Sequence, residues 1–209
     1  MNIKKISFAT LLLSGLVVSG AGSAFAASQA ETIKIGNLKI VERVYENPVE
    51  YDFTDALTKS DLSKIGPLGN DMTGKVYEMS KKDLYKAKSY EADIENDSNE
   101  NDSISRKVSR KTFLTGKIGA SAETKVNWRI IEGKVGINAE VAFGDEETVE
   151  TTQTWVIPKR TMTTVEYGSK AVKTTGSLVE YFQGRVVDSN YVNVKYSYKE
   201  YYSKKSKDL

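Results

Sequence analysis

Residues 117–130 read Lys117-Ile118-Gly119-Ala120-Ser121-Ala122-Glu123-Thr124-Lys125-Val126-Asn127-Trp128-Arg129-Ile130, and residues 134–143 read Lys134-Val135-Gly136-Ile137-Asn138-Ala139-Glu140-Val141-Ala142-Phe143. In the first stretch Ile118, Ala120, Ala122, Thr124, Val126, Trp128 and Ile130 fill the even positions without a charge. Lys117, Glu123, Lys125, Asn127 and Arg129 fill the odd ones. In the second, Val135, Ile137, Ala139, Val141 and Phe143 are odd, opposed by Lys134, Asn138 and Glu140. A period of two is the signature of a strand, and the link Ile131-Glu132-Gly133 makes the pair a predicted hairpin.

Folding about a loop of roughly four residues sets Ile130 opposite Val135, Trp128 opposite Ile137, Val126 opposite Ala139 and Ala122 opposite Phe143. The same register sets Lys125 opposite Glu140 and Asn127 opposite Asn138, so both faces agree on one pairing. At about 3.3 Å per residue, Ile118 to Ile130 extends roughly 43 Å, or roughly 33 Å at a tilt of about 40°. The hydrocarbon core of a bilayer is about 30 Å thick. An ordinary hairpin with one face on a soluble core shows the same alternation. A membrane role is favoured by the small, Ala- and Thr-containing face and by Trp128, Ile130 and Ile131 gathered at the tip. Alone in lipid, such a hairpin would leave its edges unpaired, so insertion requires several copies to close into a barrel.

The N-terminus reads as a secretory signal over residues 1–26: Lys4 and Lys5, an apolar run from Ile6 to about Val18, and Ala24-Phe25-Ala26 before cleavage. The expected product is exported. Its loss takes the formal charge from +2 to zero, because it removes two lysines and no acid. A nucleic-acid partner is therefore not indicated; the one basic run, Lys204-Lys205-Ser206-Lys207, reads as a solvated end. Cysteine is absent, so stability must come from sheet pairing and packing rather than disulfides.

Strand patterns account for most of the remaining chain. Thr32–Val44 is expected to break at Gly36-Asn37, and Lys75–Met79 and Lys88–Ile94 to form strands divided by a Lys-rich turn. Asp55–Ile65 is the one expected helix, stopped by Gly66-Pro67. Residues 95–103 form a polar loop; Asp97, Asn99 and Asn101 alternate like calcium ligands, but Asp102 and Val108 stand where an EF-hand needs Gly and a bidentate Glu. Ser105–Leu114 leads into the hairpin. Asp145–Thr154 is a polar connector, and Thr161–Tyr167, Lys170–Leu178 and Val186–Tyr198 read as strands punctuated by Gly168-Ser169 and Gly184. The fold class is thus mostly β, an elongated, twisted antiparallel sheet of long strands.

The absence of both His and Cys excludes Ser-His triads, cysteine nucleophiles and His-ligated metals. The dense carboxylates Asp145, Glu146, Glu147 and Glu150 lie on a polar stretch with nothing to enclose them. No phosphate loop is present, so the reading is non-enzymatic and without a cofactor. Tyr201 and Tyr202, outside the clean alternation of the last strand, are the expected surface or receptor contacts, since exposed Tyr suits sugar stacking or a lipid headgroup.

The stretch Gly116–Gly184 resembles the epsilon-toxin/mosquitocidal-toxin (ETX/MTX2) branch of the aerolysin-like β-pore-forming toxins. The order of features carries the resemblance: an alternating strand, the turn Ile131-Glu132-Gly133-Lys134, a return ending Ala139-Glu140-Val141-Ala142-Phe143, a Thr-rich connector, then Trp155-Val156-Ile157-Pro158 and Thr161-Met162-Thr163-Thr164-Val165. The resemblance implies an insertion hairpin at 116–143. The uncharged side from Ile118 to Phe143 would then face lipid, and Glu123, Lys125, Asn127, Arg129, Asn138 and Glu140 would face the lumen. It also implies a target membrane, a receptor and a homo-oligomer, with an N-terminal β-rich region at 27–104 and an aerolysin-like sheet region at 105–209. At 183 residues after signal removal, the chain leaves little room for a separate receptor domain. A secreted β-rich binding protein with the same fold and no pore activity is the alternative.

Overall fold

The structure is a computed structural model that describes residues 30–52, 73–118 and 124–209. The signal segment and the helix expected at Asp55–Ile65 lie outside the described residues, as do Ala120, Ala122 and Glu123. The elements are β1 Ala30–Ile35, β2 Leu38–Asp52, β3 Gly74–Asn96, β4 Asp102–Ile118, α1 Thr124–Val135, β5 Glu146–Ile157, β6 Thr161–Phe182 and β7 Arg185–Asp208. They form a mostly-β fold built on one seven-stranded antiparallel sheet ordered β1-β2-β3-β6-β7-β4-β5.

Turn chemistry sets the hairpins. β1 turns into β2 through Gly36-Asn37, with Gly36 at φ +57°, a two-residue turn whose left-handed first position matches the strand twist. At the β6–β7 turn both central residues, Gln183 and Gly184, are left-handed; Gln183 takes a conformation usual for Asn or Gly.

β3, β6 and β7 are 23, 22 and 24 residues long, so each extends on the order of 75 Å. Expected breaks are absent from β3 and β6. The lysines at 81 and 82 follow a bulge between Met79 and Lys81, and the strand runs on. Gly168 sits inside β6: a Cβ there would collide with the Ala87 carbonyl oxygen and crowd the Tyr201 ring. A strand glycine of this kind marks close approach rather than a turn. Gly176 does the same under Tyr77. The basic run 204–207, expected as a solvated end, is strand, with Lys204 to Lys207 paired to Val165 through Met162.

β4 belongs to two ladders. Asp102–Phe113 pairs with β5, while Leu114–Ile118 pairs with β7 at Tyr196–Val192. Among the described residues the apolar side chains gather in two large cores and a small cluster of Tyr85, Ala87 and Ala171. One gathers Leu38, Ile40, Tyr90, Ala92, Ile94, Val165 and Tyr167 beneath Ile104, Val108, Trp155 and Ile157, with Tyr90 and Trp155 stacked 5.8 Å apart. The polar turn after β3 is organised by Asn96, fully buried: its Nδ2 donates to the carbonyls of Glu100, Ile157 and Pro158, and its Oδ1 accepts from Ser98. The second core lies against the segment expected to be a hairpin.

Candidate functional site: a segment docked on its own sheet

Residues 124–135 are helical, not extended. The helical period takes over where the alternation fails, at Ile130-Ile131: Trp128, Ile131 and Val135 stand at i, i+3 and i+7 on one face. All three are buried, among Tyr77, Leu114, Ile118, Val172, Leu178, Val192, Val194 and Tyr196. Trp128 meets the Tyr196 ring edge-on at 5.1 Å and tilts against Phe143 at 6.4 Å. The residues expected to link two strands, Ile131-Glu132-Gly133, occupy the last turns of α1. The chain instead turns at Gly136, at φ +71°, where its N–H donates to Glu132 O at 2.9 Å, a left-handed glycine closing a helix. A lone strand here would leave ladder groups unpaired, whereas a helix satisfies its own.

After α1 an irregular strap, residues 137–145, crosses to β5. Glu140 N donates to Ser197 O at 3.1 Å, Gly144 N to Leu114 O at 2.9 Å, and Leu114 N to Asp145 O at 3.1 Å. Tyr196 Oη donates to Ile137 O and Lys82 Nζ to Val135 O, both at 2.8 Å. Ala139 N donates to Glu132 Oε1, tying strap to helix. Ile137, Ala139, Val141 and Phe143 remain on one half-buried side.

The structure therefore brings Ile118, Trp128, Ile130, Val135, Ile137, Ala139, Val141 and Phe143 together in one apolar cluster. Thr124, Lys125 and Val126 begin α1. Among the residues expected on the polar side, Arg129 and Asn138 are exposed, but Asn127 is buried, because the helix turns it beside Trp128. Tyr201 is not a surface residue: it is 5% exposed, its ring against Gly168 and beneath Lys86. Tyr202 points the other way and is 68% exposed. Glu146, Glu147 and Glu150 are exposed on β5, with Lys111 and Lys107 beside Glu146 and Glu150.

Sequence reasoning missed Arg110. On β4 it occupies the inward series Val108, Arg110, Thr112, Leu114, and a cation in a buried alternation is the signal that could have found it. Its side chain is 9% exposed, and its two terminal nitrogens each donate to one Glu140 oxygen at 2.8 Å. Nη1 also reaches Ser169 Oγ at 3.2 Å. Burial works against the guanidinium charge, but the bonds and field of Glu140 outweigh it, so its pKa is raised. Among the described residues, no helix is long and apolar enough to cross a membrane.

Neither the known protein families nor the curated proteins contain a match to this chain. Among solved structures, the chain is similar to parasporin-2, a Bacillus thuringiensis toxin that recognizes cancer cells, at 11% identity over 82% of this chain and 77% of that one, with a TM-score of 0.26. The superposition is loose.

Proposed function

We propose that this protein is a secreted pore former that binds membranes, oligomerises and converts residues 116–143 into a β-hairpin of a closed barrel. One observation supports the reading above the others. The segment alternates as a strand over both halves in a single register, yet residues 124–143 are helix and strap in this structure. Conflicts between a sequence's periodicity and its fold are expected at functional or strained sites, and a second, extended conformation of this segment accounts for the one seen here. Helix propensity agrees: six of the twelve residues of α1, Thr124, Val126, Ile130, Ile131, Val135 and Gly133, are β-branched or glycine. Packing, not propensity, holds α1.

Trp128 provides the test. With Trp155 replaced by Phe it is the sole tryptophan, and it begins buried against Tyr196. On liposomes, pore formation predicts quenching of Trp128 by brominated lipid chains, dye release and detergent-resistant oligomers. Membrane binding with none of these refutes the proposal.

A second reading, surface binding without pores, draws on exposed Phe182, Val186, Val187 and Tyr191 around the β6–β7 turn. In that case alanine at Phe182 and Val186 weakens membrane binding, while Trp128 stays inaccessible to lipid quenchers.

Helix strength offers a graded check. Gly133 lies in α1 with open space around any added Cβ, so Gly133→Ala should stabilise the helix by about 0.5–1 kcal/mol. A slightly raised melting temperature together with dye release slowed roughly two- to fivefold is expected. Faster release would contradict a helix that must unwind.

A further inference from the structure

Arg110 leaves one donor unused in a place where that is costly. Its terminal nitrogens hold Glu140 of the strap, but Nε is buried and finds no hydrogen-bond acceptor among the described residues. A buried orphan donor calls for a physical explanation. Nε lies 4.0 Å from Glu200 Oε2 on β7, just beyond bonding distance. Glu200 is half exposed, and Tyr167 Oη donates to the same oxygen at 3.3 Å. Arg110, Ser169, Tyr167 and Glu200 all belong to long sheet strands, whereas Glu140 belongs to the strap. The guanidinium therefore stands between a carboxylate that moves if the segment leaves and one that stays.

We infer that Arg110 is a two-position clasp: it holds Glu140 while the segment is docked and passes to Glu200 when the strap lifts. Without a second partner, lifting the strap would take away the carboxylate that now pairs Arg110, and a guanidinium still partly covered by the sheet would be left uncompensated. Glu200 removes most of that penalty, because a modest turn of its half-exposed side chain closes the 4.0 Å gap to Nε. Arg110 and Glu200 are then positioning residues that set how readily residues 136–145 detach. The significance for membrane insertion rests on the pore-forming reading; the clasp itself is a property of the soluble protein.

Hydrogen exchange of the full-length soluble protein, followed by mass spectrometry without membranes, tests it. Glu140→Gln should accelerate exchange in peptides spanning 136–145 by roughly tenfold, since the docked state loses a charge-assisted, part-buried pair while Arg110 can still turn to Glu200. Glu200→Gln should do the opposite and slow that exchange, up to about tenfold, because the lifted state loses a charge-assisted bond whereas the docked state loses only the weaker 4.0 Å contact. Glu200→Asp, which keeps the carboxylate, should lie near wild type. If Glu200 merely supports the docked form, Glu200→Gln will accelerate exchange; acceleration or no change overturns the clasp. Dye release from liposomes separates the two readings. The expected exchange pattern with no release from any variant leaves the clasp standing and refutes the pore, and release by the wild type with exchange unmoved by Glu200→Gln does the reverse.

Discussion

Glutamate in place of Ile137 is expected to abolish dye release from liposomes while leaving a folded, soluble monomer. In the docked segment Ile137 is only half buried, at the margin of the apolar cluster, and Tyr196 bonds its backbone carbonyl rather than its side chain. A glutamate there can turn toward water. In the proposed hairpin the same position lies opposite Trp128 on the uncharged, lipid-facing side, toward the tip of the hairpin. A carboxylate on the lipid face is unfavourable, by less than the roughly 2–4 kcal/mol of an Arg or Lys at the midplane, but a ring of subunits multiplies the penalty. Val126→Glu, near the bilayer midplane in the same register, should behave alike. Lys125→Gln, on the opposite face, should change release little. Near-ultraviolet circular dichroism and size exclusion check the monomer, and dye release checks the pore. Equal losses from both classes of substitution would show that the lipid-facing assignment is wrong.

The long strands were legible in the sequence because alternation is a local signal. Val165, Tyr167, Val192, Val194 and Tyr196 announce buried positions at every second residue. The joining of Lys75–Met79 to Lys88–Ile94 was not legible, because glycines and lysines that resemble turns are bulges and close approaches fixed by the neighbouring strand. Gly168 looks like punctuation until Ala87 and Tyr201 are placed beside it. Tyr201 and Tyr202 could not be sorted by pattern either, since Lys170, paired to Lys199, and Ala171, paired to Ser197, flank a bulge that shifts the parity of β7.

The site was legible in composition but not in conformation. The uncharged positions from Trp128 to Phe143 do gather on one surface, yet through a helix face and a strap rather than two paired strands. Local alternation reports which residues avoid water; it does not report what they pack against. The helix exists because Tyr77, Val172, Leu178 and Tyr196 offer an apolar floor to Trp128, Ile131 and Val135, and that floor is assembled from strands distant in sequence. Arg110 escaped notice for the same reason, its partners Glu140, Ser169 and Glu200 being 30, 59 and 90 residues away.

If detachment of the segment precedes insertion, a covalent link from strap to sheet should leave membrane binding intact and reduce dye release to background until the link is reduced. The natural chain has no cysteine, so one engineered pair is free of competing thiols. The Glu140 N to Ser197 O bond at 3.1 Å brings strap and β7 backbones side by side, so the pair is to be chosen beside it with Cα atoms within the roughly 4.4–6.8 Å that a disulfide requires. Glu140 itself is best left in place, so that Arg110 keeps its carboxylate and any change in release comes from the link alone. In the oxidised protein α1 could still fray, but residues 137–143 could not cross to the far side of a bilayer. Dithiothreitol should restore wild-type release within the time needed to reduce the bond. Each single-cysteine variant should lyse liposomes with or without reductant. Undiminished release from the oxidised protein, with the bond confirmed by mass, would show that the segment does not leave its sheet to make the pore, and the barrel would then have to be sought in other strands.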